Sequence, residues 1–435
     1  MAKGASGSVD PTSGLPNRRA FLRRFAAGGR EDRGQRVVLL ATLAEAPAFN
    51  ALLRALGHAR SEAFVRAGAA RLADLLGGEA DLFHVSVLSF ACVLPAPEGD
   101  APPAAVARVR AGFERPILCD DIPIDARLGL GLARLGATPA EDLRAALAAA
   151  QDSRSRLEGW AWYDPTSDAA HRRAFRLLTD LQAALGREGD LSLAFQPKVA
   201  LADGTPRGVE ALLRWTHPEL GAISPGEFVP LAETTALLAP LTRRVVSAAV
   251  AQLAAWDRAG IDLPVAVNVS PKNLAEPDFV EFMLFACAAA RVDRSRLELE
   301  VTEGLDAGRA GPALERLRAL AKLGFPIAID DFGAGYSNMG YLARLPARTL
   351  KLDRSLVGGV VEGTPEGRLL AGVVALGRDL GFRIVAEGVE TEAERALLAR
   401  LGCDYGQGWL FARPMPAAAV EDWAAMRAEP MLRRA

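Results

Sequence analysis

Ile327-Ala328-Ile329-Asp330-Asp331 is a short apolar run closing on two adjacent acids, just after a helix-like stretch at 311–323. A run this short, β-branched and bounded by polar residues, reads as a buried strand. The pattern recurs on both sides of it. Residues 193–201, 208–215, 265–269, 297–302, 349–352, 383–386 and 405–411 are further strand candidates, mostly separated by helix-like runs such as 231–259. Strand followed by helix, repeated, implies a parallel sheet, and eight such units in about 250 residues suit a closed (β/α)8 barrel better than an open sheet. The fold class is therefore α/β, with a TIM-like barrel whose chemistry is expected where the strands end.

The barrel needs only part of the chain. At 435 residues the sequence is long enough for two or three domains, and half of it is hydrophobic, so packed cores are affordable. Residues 41–77 read as mainly helical, 82–94 as a buried strand or hairpin, and 95–103 as a Pro/Gly loop. A long helix is expected over 138–156, with Thr138 as cap and Pro139 in its first turn. Together they predict a smaller α+β domain over 1–165. The barrel domain then takes 166–435, led by an amphipathic helix with Phe175, Leu178, Leu181 and Leu185 at helical spacing. Trp160 and Trp162 are expected to pack the junction.

Lys+Arg is 51 and Asp+Glu 53, a formal net charge of −2, which argues against a DNA- or RNA-duplex binder or a polybasic membrane-surface protein. No run is long and apolar enough for membrane insertion, and the four cysteines form no C-x-x-C pair. A cytoplasmic protein with ordinary thiols is the expectation.

The polar residues in and just after the strands carry the chemistry. Period-two alternation puts Glu210, Leu212 and Arg214 on one face of their strand. Asn268 ends V-A-V-N, Glu300 and Glu303 lie in L-E-L-E-V-T-E, Lys351 and Asp353 flank Leu352, Glu387 and Glu390 occupy V-A-E-G-V-E, and Gln407 lies in Y-G-Q-G-W. One such acid is an ordinary salt bridge or helix cap. Five converging on one mouth repel unless a cation neutralises them. With four histidines and no H-E-x-x-H, a zinc site is not expected. Carboxylates and an amide oxygen suit Mg²⁺ or Mn²⁺, and adjacent aspartates suit two ions about 3.5–4 Å apart. With Arg214 and Lys351 nearby, the set reads as phosphoester hydrolysis. His217 is read as a loop residue rather than a ligand.

E-A-L-L-R-W, D-D-F-G-A-G-Y-S-N-M-G-Y-L-A-R-L-P, K-L-D-R-S-L, V-A-E-G-V-E-T and G-Q-G-W-L-F-A-R-P resemble, in order and spacing, the EAL domain, a cyclic di-GMP-specific phosphodiesterase of bacterial signalling. The resemblance runs from about 193 to 416. It implies that Glu210, Asn268, Glu300 and Asp330 hold one metal, with Asp330 bridging to a second near Asp331 and Glu387. It implies that Lys351 orients or activates the attacking water, a role also given to Glu387, and that Gln407 orders the site. Gln196, Arg214 and Asp353 would contact the dinucleotide, and Glu303 would anchor a gating loop at 332–338. The product would be linear 5′-pGpG, the partner cyclic di-GMP, the assembly a homodimer through the EAL domain, and the setting the choice between motile and sessile life.

The first half resembles a GGDEF domain, the diguanylate cyclase fold, in eroded form. Asp10-Pro11-Thr12-Ser13-Gly14-Leu15-Pro16-Asn17-Arg18-Arg19 and Leu56-Gly57-His58-Ala59 match, but the signature turn reads Ser86-Val87-Leu88-Ser89-Phe90, without its glycines and acids. Cyclase activity is not expected there, and the domain is structural, regulatory or dimerising. Two other readings remain for the whole chain: a receptor that binds cyclic di-GMP without turnover, and a phosphodiesterase held inactive by its first half.

Overall fold

A computed structural model describes residues 7–26, 35–119, 122–136, 138–302, 311–334 and 342–432. They form two compact units, dividing between Arg172 and Arg173.

The N-terminal unit runs α1 (Arg18–Ala26), β1 (Arg36–Thr42), α2 (Ala46–Leu76), β2 (Phe83–Ser86), β3 (Ser89–Pro95), α3 (Ala104–Gly112), β4 (Ile117–Cys119), β5 (Ile122–Ile124), β6 (Gly129–Arg134), α4 (Pro139–Asp152) and β7 (Trp160–Trp162). Five strands form a sheet in the order β2-β3-β1-β6-β7, antiparallel except for β6–β7. Alternation along β1 builds a core on each side of it. Val37, Leu39 and Ala41 join Phe64, Leu72 and Val106, whereas Val38 and Leu40 join Phe21 and Leu143. Residues 82–94 are a hairpin, as one of the two readings had it. Two expectations are corrected. Ala41 and Thr42 belong to β1, and the helix starts at Ala46 with a kink at Gly57, φ 80°. Thr138 stands at the cap position of α4 but its side chain caps nothing. Trp160 and Trp162 pack against this unit's own core, Trp162 Nε1 donating to Asp100 O at 2.7 Å.

Helix α5 (Pro165–Leu185) spans the division, and the second unit continues through β8 (Leu191–Ala200), β9 (Pro206–His217), β10 (Gly221–Ile223), α6 (Pro225–Glu233), α7 (Leu238–Arg258), β11 (Val265–Asn268), α8 (Pro271–Leu274), α9 (Phe279–Ala290), β12 (Leu297–Thr302), α10 (Gly311–Lys322), β13 (Ile327–Phe332), β14 (Thr349–Leu352), α11 (Arg354–Val357), α12 (Pro365–Asp379), β15 (Arg383–Ala386), α13 (Glu392–Leu401), β16 (Tyr405–Gln407) and α14 (Ala417–Leu432). The sheet runs β9-β11-β12-β13-β14-β15-β16-β8 and closes through β8–β9, giving an eight-stranded barrel, with β10 added at β9. The strands are short and buried on both faces, which is why they appear in the sequence as near-continuous apolar runs. The sheet is not wholly parallel, however. β8 is antiparallel to both β9 and β16. On α5 the buried hydrophobic residues are Leu177, Leu181 and Ala184, while Phe175 is exposed, so the apolar face is rotated from the expected one.

Candidate active site

Cross-strand partners share a face of a sheet, so the registers show what enters the barrel lumen. Gln196 pairs with Glu210, Lys198 with Gly208 and Gln407, Ala266 with Glu210, and Asn268 with Glu300. Ala328 pairs with Glu300 and Thr349, one alternation below Asp330 and Lys351. Seven expected residues (Gln196, Glu210, Asn268, Glu300, Asp330, Lys351 and Gln407) thus share the inner face, and Glu387 follows directly on β15.

Asp331 should point the other way. The β13–β14 register shifts between Ile329 and Phe332, and Asp331 takes a left-handed φ of 55°. This bulge turns the Asp331 carboxylate to within 4.8 Å of those of Asp330 and Glu387, while Glu210, Glu300 and Asp330 form a second group of the same size. Asp330 belongs to both groups. Aspartate is among the few side chains that tolerate the left-handed region, so a D-D pair permits what strict alternation forbids.

Lys351 is buried at the centre. Its Nζ lies 2.7 Å from Glu387 Oε1, 2.8 Å from Asp330 Oδ1, 2.9 Å from Glu300 Oε2 and 3.4 Å from Glu210 Oε2. One ammonium cannot aim at four carboxylates: the oxygens of Glu300, Asp330 and Glu387 nearest to it accept no well-directed hydrogen bond despite those distances. Glu210 is better served, by Gln407 Nε2 at 2.7 Å and Asn268 Nδ2 at 2.8 Å, and Gln407 also donates to Gln196 Oε1 at 3.2 Å. Burial works against an ionised Glu210, yet Lys351 and these two amides hold its carboxyl below the ordinary range. Burial, and then Glu210, push Glu300 well above it. Burial outweighs Lys351 at Glu387, which rises to about 7, and burial and Asp330 raise Asp331. Crowded, under-satisfied oxygens of this kind are what hard divalent cations relieve, so the donor set fits such ions, with Asp330 able to serve two of them.

Two cavities flank the carboxylates. One of about 360 Å³ is mainly apolar, with Leu212, Leu213, Val229, Pro230 and Val245 beside Asn268. The other, about 200 Å³, is lined by Gln196, Glu210, Glu387, Gln407 and Trp409. A larger cavity of about 570 Å³ lies in the N-terminal unit, lined by Asp10, Asn17, His58 and His84 among others. Neither carboxylate group is there.

The remaining expected residues divide. Arg214 is half-buried and donates to the neighbouring Leu213 carbonyl at 2.9 Å. Asp353 caps α11, accepting from Ser355 N at 2.8 Å. Glu303 lies outside the described residues, as does most of the expected gating loop. His217 is buried; its Nδ1 accepts from the Glu219 and Leu220 amides, so Nε2 carries the proton donated to Asp180 at 3.0 Å. It is the last residue of β9 rather than a loop residue, a correction to the expectation. Sequence reading missed two groups just below the site, Lys198 and Glu298, although each stands two residues from a residue it did find.

The family model described as "EAL domain" matches residues 178–414, more than half of the chain. The chain belongs to the EAL-domain family. Among EAL proteins it is 40% identical to the Pseudomonas aeruginosa protein named cyclic di-GMP phosphodiesterase PA2567, over 95% of this chain and 71% of that one. It is 42% identical to the same organism's bifunctional diguanylate cyclase/cyclic di-GMP phosphodiesterase MucR, over 60% of this chain but 38% of that protein. A solved structure titled PaMucR phosphodiesterase, c-di-GMP complex, matches with TM-score 0.53 and 44% identity, covering 56% of this chain and 99% of that one.

Proposed function

We propose that this EAL protein hydrolyses cyclic di-GMP to linear 5′-pGpG. The observation that carries the reading is the pair of carboxylate groups sharing Asp330, with one cavity lined by Glu210 and Glu387 and another by Asn268. A two-base cyclic dinucleotide offers two lobes about a charged phosphodiester ring, which that arrangement suits. Glu210, Asn268, Glu300 and Asp330 would hold one Mg²⁺ or Mn²⁺ ion, and Asp330, Asp331 and Glu387 the other. Bound there, the ions supply positive charge to the phosphate and to the attacking and leaving oxygens. Lys351, among four carboxylates, stays charged and orients the attacking water; Glu387, with a carboxyl near neutrality, takes its proton. Gln407 and Gln196 fix the Glu210 carboxylate, and Arg214 would swing from its local carbonyl to a phosphate oxygen, which its planar fork fits.

The N-terminal unit we read as a non-catalytic, GGDEF-like partner domain over 1–165, its β2–β3 hairpin reading Ser86-Val87-Leu88-Ser89-Phe90 without the glycines and acids that family works with. Assembly as an EAL-to-EAL homodimer and residence in the cytoplasm belong to the same proposal; no described helix is long and apolar enough to cross a membrane.

The test is chromatographic product analysis of purified protein with cyclic di-GMP and Mg²⁺ or Mn²⁺. Linear dinucleotide is expected, and none from GTP. Tight binding without linear product over hours would establish the receptor reading instead.

A further inference from the structure

Below the carboxylate layer the lumen holds a second polar layer. Lys198 and Glu298 stand two residues from Gln196 and Glu300, hence on the same faces and one step deeper. Lys198 Nζ lies 2.6 Å from Glu298 Oε2 and 3.4 Å from Glu300 Oε1, and Glu298 Oε1 accepts from Thr349 Oγ1 at 3.0 Å. Lys198 and Glu300 are buried and Glu298 is partly so, their side chains 7%, 0% and 14% exposed. Gly208 faces Lys198 across β8–β9, and a Cβ there would lie 3.7 Å from Lys198 Cε, against the lysine stem.

Glu300 is therefore gripped from both sides. Its Oε1 faces Lys198 and its Oε2 faces Lys351. Among the described residues Lys351 is shared among four carboxylates, whereas Lys198 pairs with two, Glu298 and Glu300. A carboxylate that must ligate an ion needs a fixed orientation, and in metal sites this comes from partners behind the ligands. We propose that Lys198 is a positioning residue for the metal site: from below, it fixes the Glu300 carboxylate for a divalent cation, while Glu298, bonded to Thr349, balances the buried charge of Lys198.

The proposal rests on the phosphodiesterase reading of the site, so its test is made without substrate. Mn²⁺ binding to the full chain is titrated by electron paramagnetic resonance, with thermal melting in parallel. Lys198→Met leaves the partly buried Glu298 without its cation and can fail to fold. Lys198→Met/Glu298→Gln removes both charges and keeps an acceptor for Thr349. The double variant is expected to melt near the wild type and to bind Mn²⁺ about 10–100-fold more weakly. Its lost hydrolysis is expected to return as Mn²⁺ is raised. Glu298→Gln alone, which leaves Lys198 to Glu300, is expected to keep wild-type Mn²⁺ affinity. Wild-type affinity in the double variant would overturn the proposal, leaving Lys198 as a structural counter-ion to Glu298. So would equal weakening by Glu298→Gln alone. A wild type that binds Mn²⁺ but never cleaves cyclic di-GMP would sink the enzyme reading and leave this one standing.

Discussion

Asp330 and Asp331 are consecutive residues of one strand whose carboxylates nevertheless serve the same mouth, because the chain bulges opposite Lys351 and Asp331 adopts φ 55°. The two are unequal. Asp330 joins both carboxylate groups and Asp331 one, so their substitutions separate the shared ligand from the peripheral one.

Asp330→Asn should lower kcat by about three orders of magnitude, the scale of losing several kcal/mol of charge stabilisation at a metal site. Asp331→Asn should cost less and be partly recovered by excess Mn²⁺. Asparagine keeps the left-handed backbone, whereas Asp331→Ala adds strain of about 1–2 kcal/mol and should also lower the melting temperature. Steady-state kinetics and melting on the three variants check this.

Chelation with EDTA should abolish hydrolysis, with Mg²⁺ or Mn²⁺ restoring it. Ca²⁺ should inhibit, since it favours longer bonds and more ligands than a close-set pair of carboxylate groups provides. Mn²⁺ at about a hundred times its dissociation constant should also add about 2.7 kcal/mol of stability, seen as a raised melting temperature. An unmoved melting curve would count against metal residence among these carboxylates.

Gly408 is required by space. A Cβ there would lie 2.2 Å from Val389 O and 2.3 Å from Val389 N, backbone that is itself bonded to Gln407 O and Leu410 N. Gly408→Ala should push this loop away and draw Gln407 off Glu210, costing about 1–3 kcal/mol of stability and at least tenfold in kcat. A variant with wild-type kcat would show that Gln407 does not order the site.

The barrel was legible because its strands are short, apolar and punctuated by helices, and the lumen acids because alternation fixes their face. What escaped depends on tertiary register. The antiparallel entry of β8 had a local signal in Asp203-Gly204, a tight-turn pair whose aspartate accepts from Thr205 N at 2.9 Å; the expectation of uniform strand–helix repeats overrode it. The Asp331 bulge has no sequence signature beyond an acid that tolerates positive φ. β1 was not read, although Val37-Val38-Leu39-Leu40 carries a strand's apolar, β-branched pattern, and its end at Ala41-Thr42 merges with the alanine-rich run behind it. Asp353 shows how one motif position can serve both as the expected ligand contact and as a helix cap.

Asp168 makes the N-terminal unit acid-sensitive. Its buried carboxylate, in α5, accepts from Arg144 of α4 and from Tyr163 Oη at 2.9 Å, and pairs with Arg172 at 2.9 Å. The hydrogen bond from Arg144 outweighs burial and holds its carboxyl below the ordinary aspartate value. A carboxyl depressed in the folded state binds protons more weakly there than when unfolded, so folding gains from it only while it is ionised. That gain is fully present above the unfolded aspartate value near 4 and is lost as pH falls through the lower folded one. Asp168→Asn should therefore destabilise the unit by about 1–2 kcal/mol at pH 7 and flatten the loss of stability below pH 4. Denaturant melts of both proteins from pH 7 to pH 3 measure this; curves that stay parallel down to pH 3 would show that the Arg144–Asp168 pair contributes nothing to folding.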